Sequence, residues 1–329
     1  IAVLLDLAMG WFEGRLKKSH GISRRSGAVL ACMMAAVAVS IPFGLRDTVG
    51  DTELVLYDGD YSETQIMDRI IQQLVESKTD LSVTIKDQMS QVNNFNALKG
   101  DGHTCDLMIS YDGTLLTTFL KLDPTDVPEG ETLYDFTNAV ARERYQMRLL
   151  NKLGFNNTYA VAAPQEIAEQ YGLEKVSDLI PVADQLSFGA EQEFFTLEGS
   201  MKYGPFTEFY GLNFREAIPV DAGLKYTAIE NRSFDVTEVY ATDGLNRKAK
   251  LKILEDDLNF FPEYNGAFLI REDTLEKFAD AAPDLEEVLN LLTGKISSED
   301  MTEMTYQTDV EGRGADEVAR EFLQGLSLL

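Results

Sequence analysis

Residues 53–88, ELVLYDGDYSETQIMDRIIQQLVESKTDLSVTIKDQ, decide the fold. ELVLYDG (53–59) is apolar and closes on Asp58-Gly59, the pattern of a strand that ends in a turn. From Ser62 to Ser77 the period changes. Ile66, Ile70 and Leu74, with Ile71 and Val75 beside them, share one face of a helix. LSVTIKDQ (81–88) then returns to alternation and reads as a second strand. The same alternation continues downstream, with helices expected at 114–121, 138–152, 164–171, 222–231, 272–280, 283–293 and 315–325. Strands are expected at 105–110, 158–162, 234–239, 251–254 and 266–270. Strand–helix alternation of this kind implies an α/β fold with mainly parallel sheets.

Upstream of residue 53 the chain has a different character. Residues 1–14, IAVLLDLAMGWFEG, read as the end of a membrane helix closed by Trp11 near an interface. Residues 27–45, GAVLACMMAAVAVSIPFGL, form an uncharged run long enough to span a bilayer. Between them lie Arg15, Lys17, Lys18, His20, Arg24 and Arg25, a basic loop that the positive-inside rule places in the cytoplasm. The second run is read as an uncleaved tether that leaves everything after about residue 46 outside the cell. Basic residues ahead of an apolar stretch are also the pattern of a cleaved signal peptide, which stays as the alternative for residues 15–45. The chain opens on Ile1 rather than Met and is read as a piece of a longer product.

Charge and composition exclude several functions. Of 329 residues, 29 are basic and 55 acidic, a formal net charge of −26. Residues 1–50 carry six basic and three acidic side chains, so the rest of the chain stands at −29. Nucleic acid requires a positive surface, and a net charge of −26 argues against it. An acidic field draws small cations toward a protein, although it also simply keeps a domain soluble. Cys32 and Cys105 imply neither a disulfide framework nor a metal site, and two histidines, His20 and His103, cannot build a His-based metal cluster. No GxSxG, Walker A, HExxH or GxGxxG motif is present, so no catalytic residues and no cofactor are assigned.

The remaining chemistry is that of aromatic faces. A quaternary ammonium has no hydrogen to donate, so proteins hold it by cation–π attraction to Tyr, Trp or Phe. All 13 Tyr lie beyond residue 50 and the single Trp does not. Tyr111 (SYDGT), Tyr159 (NNTYAV), Tyr240 (VYATDG) and Tyr264 (FFPEY) sit where strands meet turns, the usual ligand edge of an open α/β sheet. Taken one by one, such tyrosines are more often core or rim aromatics.

A family resemblance joins these segments. Residues 53–329 resemble the substrate-binding component of glycine betaine/carnitine/choline (OpuC/ProX-like) ABC transporters. The resemblance runs through YSETQIM (61–67), NNFNALKGDGHTCDLMISYDGTLLTTFL (93–120), NNTYAVAAPQEIAEQYGLEKVSDL (156–179), LSFGAEQEF (186–194) and YGLNF (210–214). It continues through DAGLKYTAIENRSFDVTEVYATDG (221–244), ILEDDLNFFPEY (253–264) and DVEGRGADEVAREFL (309–323). Residues 1–18 resemble the closing helix of the same system's permease.

The resemblance implies a type II periplasmic-binding-protein fold of two lobes and a hinge, preceded by membrane helices. Residues 1–18 would end the permease, and 19–51 would be basic loop and tether. Residues 52–157 with 265–329 would form lobe one, and 158–264 lobe two. It further implies an aromatic box of Tyr111, Tyr159, Tyr240 and Tyr264, with Thr114 meeting the ligand's polar end. Thr64 replaces a family Gln that helps hold a carboxylate. Asp112 replaces a Thr, and is read either as favouring a cation without a carboxylate or as a turn-stabilising residue. Thr242 and Asp243 are expected to shape their loop. The implied partners are the permease in the same polypeptide, a separate ATPase subunit, and the membrane through residues 1–45, with the binding domain on the extracytoplasmic side. An enzyme on the same two-lobe fold and a membrane-tethered sensor stay open as other classes.

Overall fold

The computed structural model describes residues 52–329 apart from 101, 103, 197 and 198. The readings placed on residues 1–51 and on His103 lie outside the described residues. Among the described residues no helix is long and apolar enough to cross a membrane.

Among the described residues ten strands make three sheets: β1 (Glu53–Gly59), β2 (Ser82–Met89), β3 (Leu107–Tyr111), β4 (Met147–Leu149), β5 (Tyr159–Pro164), β6 (Ser187–Glu191), β7 (Glu216–Val220), β8 (Val236–Tyr240), β9 (Leu251–Leu254) and β10 (Gly266–Arg271). β1 and β2 pair in one sheet, β3-β10-β4 form a second, and β7-β6-β8-β5-β9 form a third. The first two sheets share one part of the chain with the terminal segments, and the third is built from the middle of the chain.

The helix Ser62–Lys78 connects β1 to β2, which pair in parallel. Ile66, Ile70, Ile71, Leu74 and Val75 have no exposed surface and pack on Leu54, Leu56, Phe268 and Ile270. Each such side chain contributes roughly 1.5–3 kcal/mol relative to exposure. A separate core, with Val161, Phe188, Phe206 and Val236, lies under the five-stranded sheet. Among the described residues the buried clusters of the first two sheets stand apart from those of the third, and the two groups make two lobes.

The sheets are mixed rather than mainly parallel. Among the described pairs, β1/β2, β6/β7 and β6/β8 are parallel, whereas β10/β3, β10/β4, β5/β8 and β5/β9 are antiparallel. The cause is topological. β5 and β10 are the strands that arrive from the other lobe, and each inserts against the direction of its neighbours. The helix expected over 138–152 spans Leu133–Tyr145 instead. Gln146 ends it in the left-handed region (φ 53°), and Met147 and Leu149 then bury themselves as β4. Strands β6 and β7 and the helices Gln91–Lys99, Tyr203–Tyr210 and Ser298–Asp309 had no expectation attached. β7 contains Pro219, which is tolerated because the strand lies at the sheet edge.

Two crossovers, Leu150–Thr158 and Glu255–Asn265, connect the lobes and are bound to each other. Asn157 N–H donates to Tyr264 O (3.0 Å), and Tyr264 N–H donates to Asn156 Oδ1 (2.6 Å). Gly266 begins β10 flat against Phe155, and a Cβ there would lie 2.2 Å from the ring.

Candidate functional site

A cavity of about 1260 Å³ lies between the lobes. It opens at the carboxyl ends of β3, β6 and β8. Tyr111 is the last residue of β3, Tyr240 of β8 and Glu191 of β6, and Tyr159 begins the antiparallel β5 at the same edge. Ligands of open α/β sheets bind at this edge because the chain leaves the sheet there in loops that can be shaped freely.

All four tyrosines line the cavity. Tyr159 and Tyr240 are direct partners in the β5/β8 ladder, and their rings lie 5.3 Å apart, tilted by 33°. Phe194 meets Tyr159 edge-on at 5.7 Å. Both tyrosines face ammonium groups: Lys202 Nζ is 5.4 Å from the Tyr159 centroid, and Lys225 Nζ is 5.1 Å from that of Tyr240. The negative ring faces here already receive cations. Tyr264, half-buried, sits over Gly113, and its hydroxyl donates to Met201 Sδ (3.8 Å). Tyr111 is buried, with its ring edge-on to Phe155 at 6.2 Å. Its hydroxyl accepts from Tyr61 (3.2 Å) and donates to Glu63. The structure therefore gathers Tyr159 and Tyr240 into a ring pair and sets Tyr111 and Tyr264 on the walls of the same space.

Thr114 also lines the cavity, but Thr64 and Asp112 do not. Thr64 is fully buried and its hydroxyl donates to Tyr61 O (2.8 Å), closing the first turn of its own helix. The Asp112 carboxylate accepts from Gly113 N–H, Asn265 N–H and Asn265 Nδ2, each at 2.8 Å. It pins the YDGT turn to the second crossover, and burial pushes its carboxyl up to about 6. Of the two readings of Asp112, the turn-stabilising one describes these contacts.

Gly113 is where that turn meets Tyr264, and a Cβ would fall 2.3 Å from Tyr264 Cε2. Gly113→Ala must push the ring aside, so calorimetry should show ligand affinity reduced about tenfold or more, a loss of about 1.4 kcal/mol. Circular dichroism should show the fold retained.

Other members of the site carried no sequence assignment. Glu63, 3% exposed, sits in the first turn of Ser62–Lys78 and accepts from Tyr111, from Asn157 Nδ2 (3.1 Å) and from Thr242 Oγ1 (2.5 Å). Burial pushes it up to about 7 despite those bonds. Glu238, 1% exposed, lines the cavity from β8. Its Oε2 lies 3.3 Å from Lys225 Nζ, which also lies 2.9 Å from Glu191. Burial, with Glu191 adding to it, raises Glu238 to about 7 against the pull of Lys225. Burial opposes the charge on Lys225, but the two carboxylates more than offset it and its ammonium is held above the ordinary range. Eight carboxylates and one ammonium, Lys202, line the cavity among the described residues. Period-two alternation from Tyr240 back to Glu238 was the one available signal for this acid.

Comparison with known proteins follows the same outline. The family described as the substrate binding domain of ABC-type glycine betaine transport systems matches residues 52–325. The carnitine transport binding protein OpuCC of Listeria monocytogenes is 33% identical over 266 residues, 80% of this chain and 83% of that protein. The ergothioneine transport permease/ergothioneine binding protein EgtU of Helicobacter pylori is 29% identical over 321 residues, 95% of this chain and 54% of that protein. A crystal structure of a glycine betaine/carnitine/choline ABC transporter component superposes with a TM-score of 0.73 at 29% identity, covering 84% of this chain and 99% of that one.

Proposed function

The chain belongs to the family of substrate-binding domains of ABC-type glycine betaine transport systems, and from that premise we propose that it captures a quaternary-ammonium osmoprotectant of the glycine betaine, carnitine and choline class. The observation that carries this is the Tyr159–Tyr240 ring pair, whose faces meet the ammonium groups of Lys202 and Lys225 in a cavity lined, among the described residues, by eight carboxylates and one lysine, Lys202. Tyr111 and Tyr264 complete the cage, and Thr114 meets the polar end of the ligand. Several desolvated ring faces, each contributing about 0.5–2 kcal/mol, are sufficient for binding at about micromolar Kd.

The hinge lies at the two crossovers, with lobe one formed by 52–157 and 265–329 and lobe two by 158–264. The ligand touches both lobes and shifts the population toward the closed form, which docks on the permease. Residues 1–18 end that permease, and residues 19–51 tether the binding domain on the extracytoplasmic face of the cell membrane. The support is that the match to EgtU, named as both permease and binding protein, spans 95% of this chain. A separate ATPase subunit drives transport.

Titration calorimetry of residues 50–329 against glycine betaine, carnitine, choline and ergothioneine tests the reading. At least one should bind at micromolar Kd or tighter, while a primary amine such as ethanolamine should bind far more weakly. Absence of heat with all four would overturn it.

A further inference from the structure

Glu238 Oε1 is buried and has no hydrogen-bond partner among the described residues. Glu238 and Tyr240 leave the same face of β8, with Val236 beneath them in the core. Val236 faces the core, Tyr240 the cavity, and Glu238 stands between the two. A buried acceptor left without a donor is destabilising, and Lys225, which is shared with Glu191, satisfies only the other oxygen. Of the buried side-chain atoms without a partner among the described residues, Glu238 Oε1 is the one carboxylate oxygen that belongs to a residue lining the cavity.

We propose that Glu238 Oε1 is a ligand-recognition atom, accepting a hydrogen bond from an O–H or N–H group carried by the cation whose ammonium head rests on Tyr159 and Tyr240. The inference rests on the quaternary-ammonium reading and narrows it to one class, a quaternary ammonium that bears its own hydrogen-bond donor. Glycine betaine has no donor anywhere, and its carboxylate would meet Glu238 and Glu191 as like charges. Choline carries a hydroxyl three bonds from the charged nitrogen, within reach of an acid beside the cage, and no carboxylate; carnitine carries the same hydroxyl but brings a carboxylate with it. Glu238 thus reads the polar arm while the tyrosines read the head. A hydrogen bond to a charged acceptor contributes roughly 1.5–3 kcal/mol, about tenfold to a hundredfold in affinity.

The test compares choline with n-propyltrimethylammonium, which has the same shape with a methyl group in place of the hydroxyl. Calorimetry is run at pH 8, above the value of about 7 to which burial raises Glu238, so that the carboxylate is ionised. The wild-type protein should bind choline at least about tenfold tighter than the propyl salt. Glu238→Ala should bring the ratio to about one by weakening choline alone. Glu238→Gln keeps a carbonyl acceptor and the side-chain volume, so it should fold where the alanine variant fails and retain part of the ratio. A wild-type ratio near one, a ratio unchanged in the variants, or tighter binding of glycine betaine than of choline would overturn the assignment. Failure of both salts to bind the wild-type protein would instead overturn the quaternary-ammonium reading, and this assignment with it.

Discussion

Tyr240→Ala should raise the Kd for the quaternary-ammonium ligand by at least about 30-fold, which is the loss of one desolvated cation–π face of about 2 kcal/mol. The effect exceeds that of a typical rim aromatic because the substitution also removes the ring that holds Tyr159 in place at 5.3 Å. Tyr240→Phe retains the face and should bind within about threefold of wild type, since the charge is attracted by the ring rather than by the hydroxyl. Tyr240 is only half-buried, so the melting temperature of the alanine variant should fall by a few degrees at most. Calorimetry and a thermal melt on the same two variants separate recognition from folding.

Glu63→Ala should act mainly on stability. The carboxylate binds groups from both lobes and from a crossover: Tyr111 in β3, Thr242 just after β8, and Asn157 before β5. Its removal orphans three buried donors at about 1–3 kcal/mol each, softened by relief of the burial cost of the carboxyl itself. A net loss of about 3 kcal/mol would lower the melting temperature by about 6–12 °C in a domain of this size. The penalty also depends on pH. Glu63 titrates near 7 when folded and near its ordinary 4.5 when unfolded, so between those values the folded state binds the extra proton. Its contribution is therefore fully present below about 4.5 and is lost as pH rises through 7. Melts of wild type and Glu63→Ala should differ most at pH 5 and least at pH 8. A gap that widens with pH would contradict the assignment.

Local pattern made much of the first lobe legible. The 3.6-residue period of Ile66, Ile70 and Leu74 and the alternation on either side led directly to the β1–helix–β2 unit. Strand direction was not legible, because whether β5 and β10 run with or against their neighbours depends on the route of the chain between lobes. The helix end at Gln146 was missed for a similar reason, since a left-handed cap on a residue other than glycine carries no compositional mark. In the site, the four tyrosines were legible through family resemblance, whereas their spacing alone was weak. Thr64 and Asp112 entered the candidate site through the family's motif positions, Asp112 with a turn-stabilising reading beside the ligand-facing one. Their bonding partners, a backbone carbonyl in the same turn and Asn265 far along the chain, became visible only in three dimensions. Glu238 was hidden by abundance. In a chain with 55 acidic residues, one buried carboxylate looks like every solvated one.

In the proposed cage, positive charge held by phenol faces is what the cavity recognises. This recognition is tested most directly by titrating the protein with choline and with 3,3-dimethylbutan-1-ol, its neutral isostere in which carbon replaces the charged nitrogen. The cage predicts that the neutral alcohol binds at least about a hundredfold more weakly, a difference of about 2.7 kcal/mol that several ring faces can supply. Equal affinity for the two would show that the cavity selects shape and apolar surface alone, and would contradict the account.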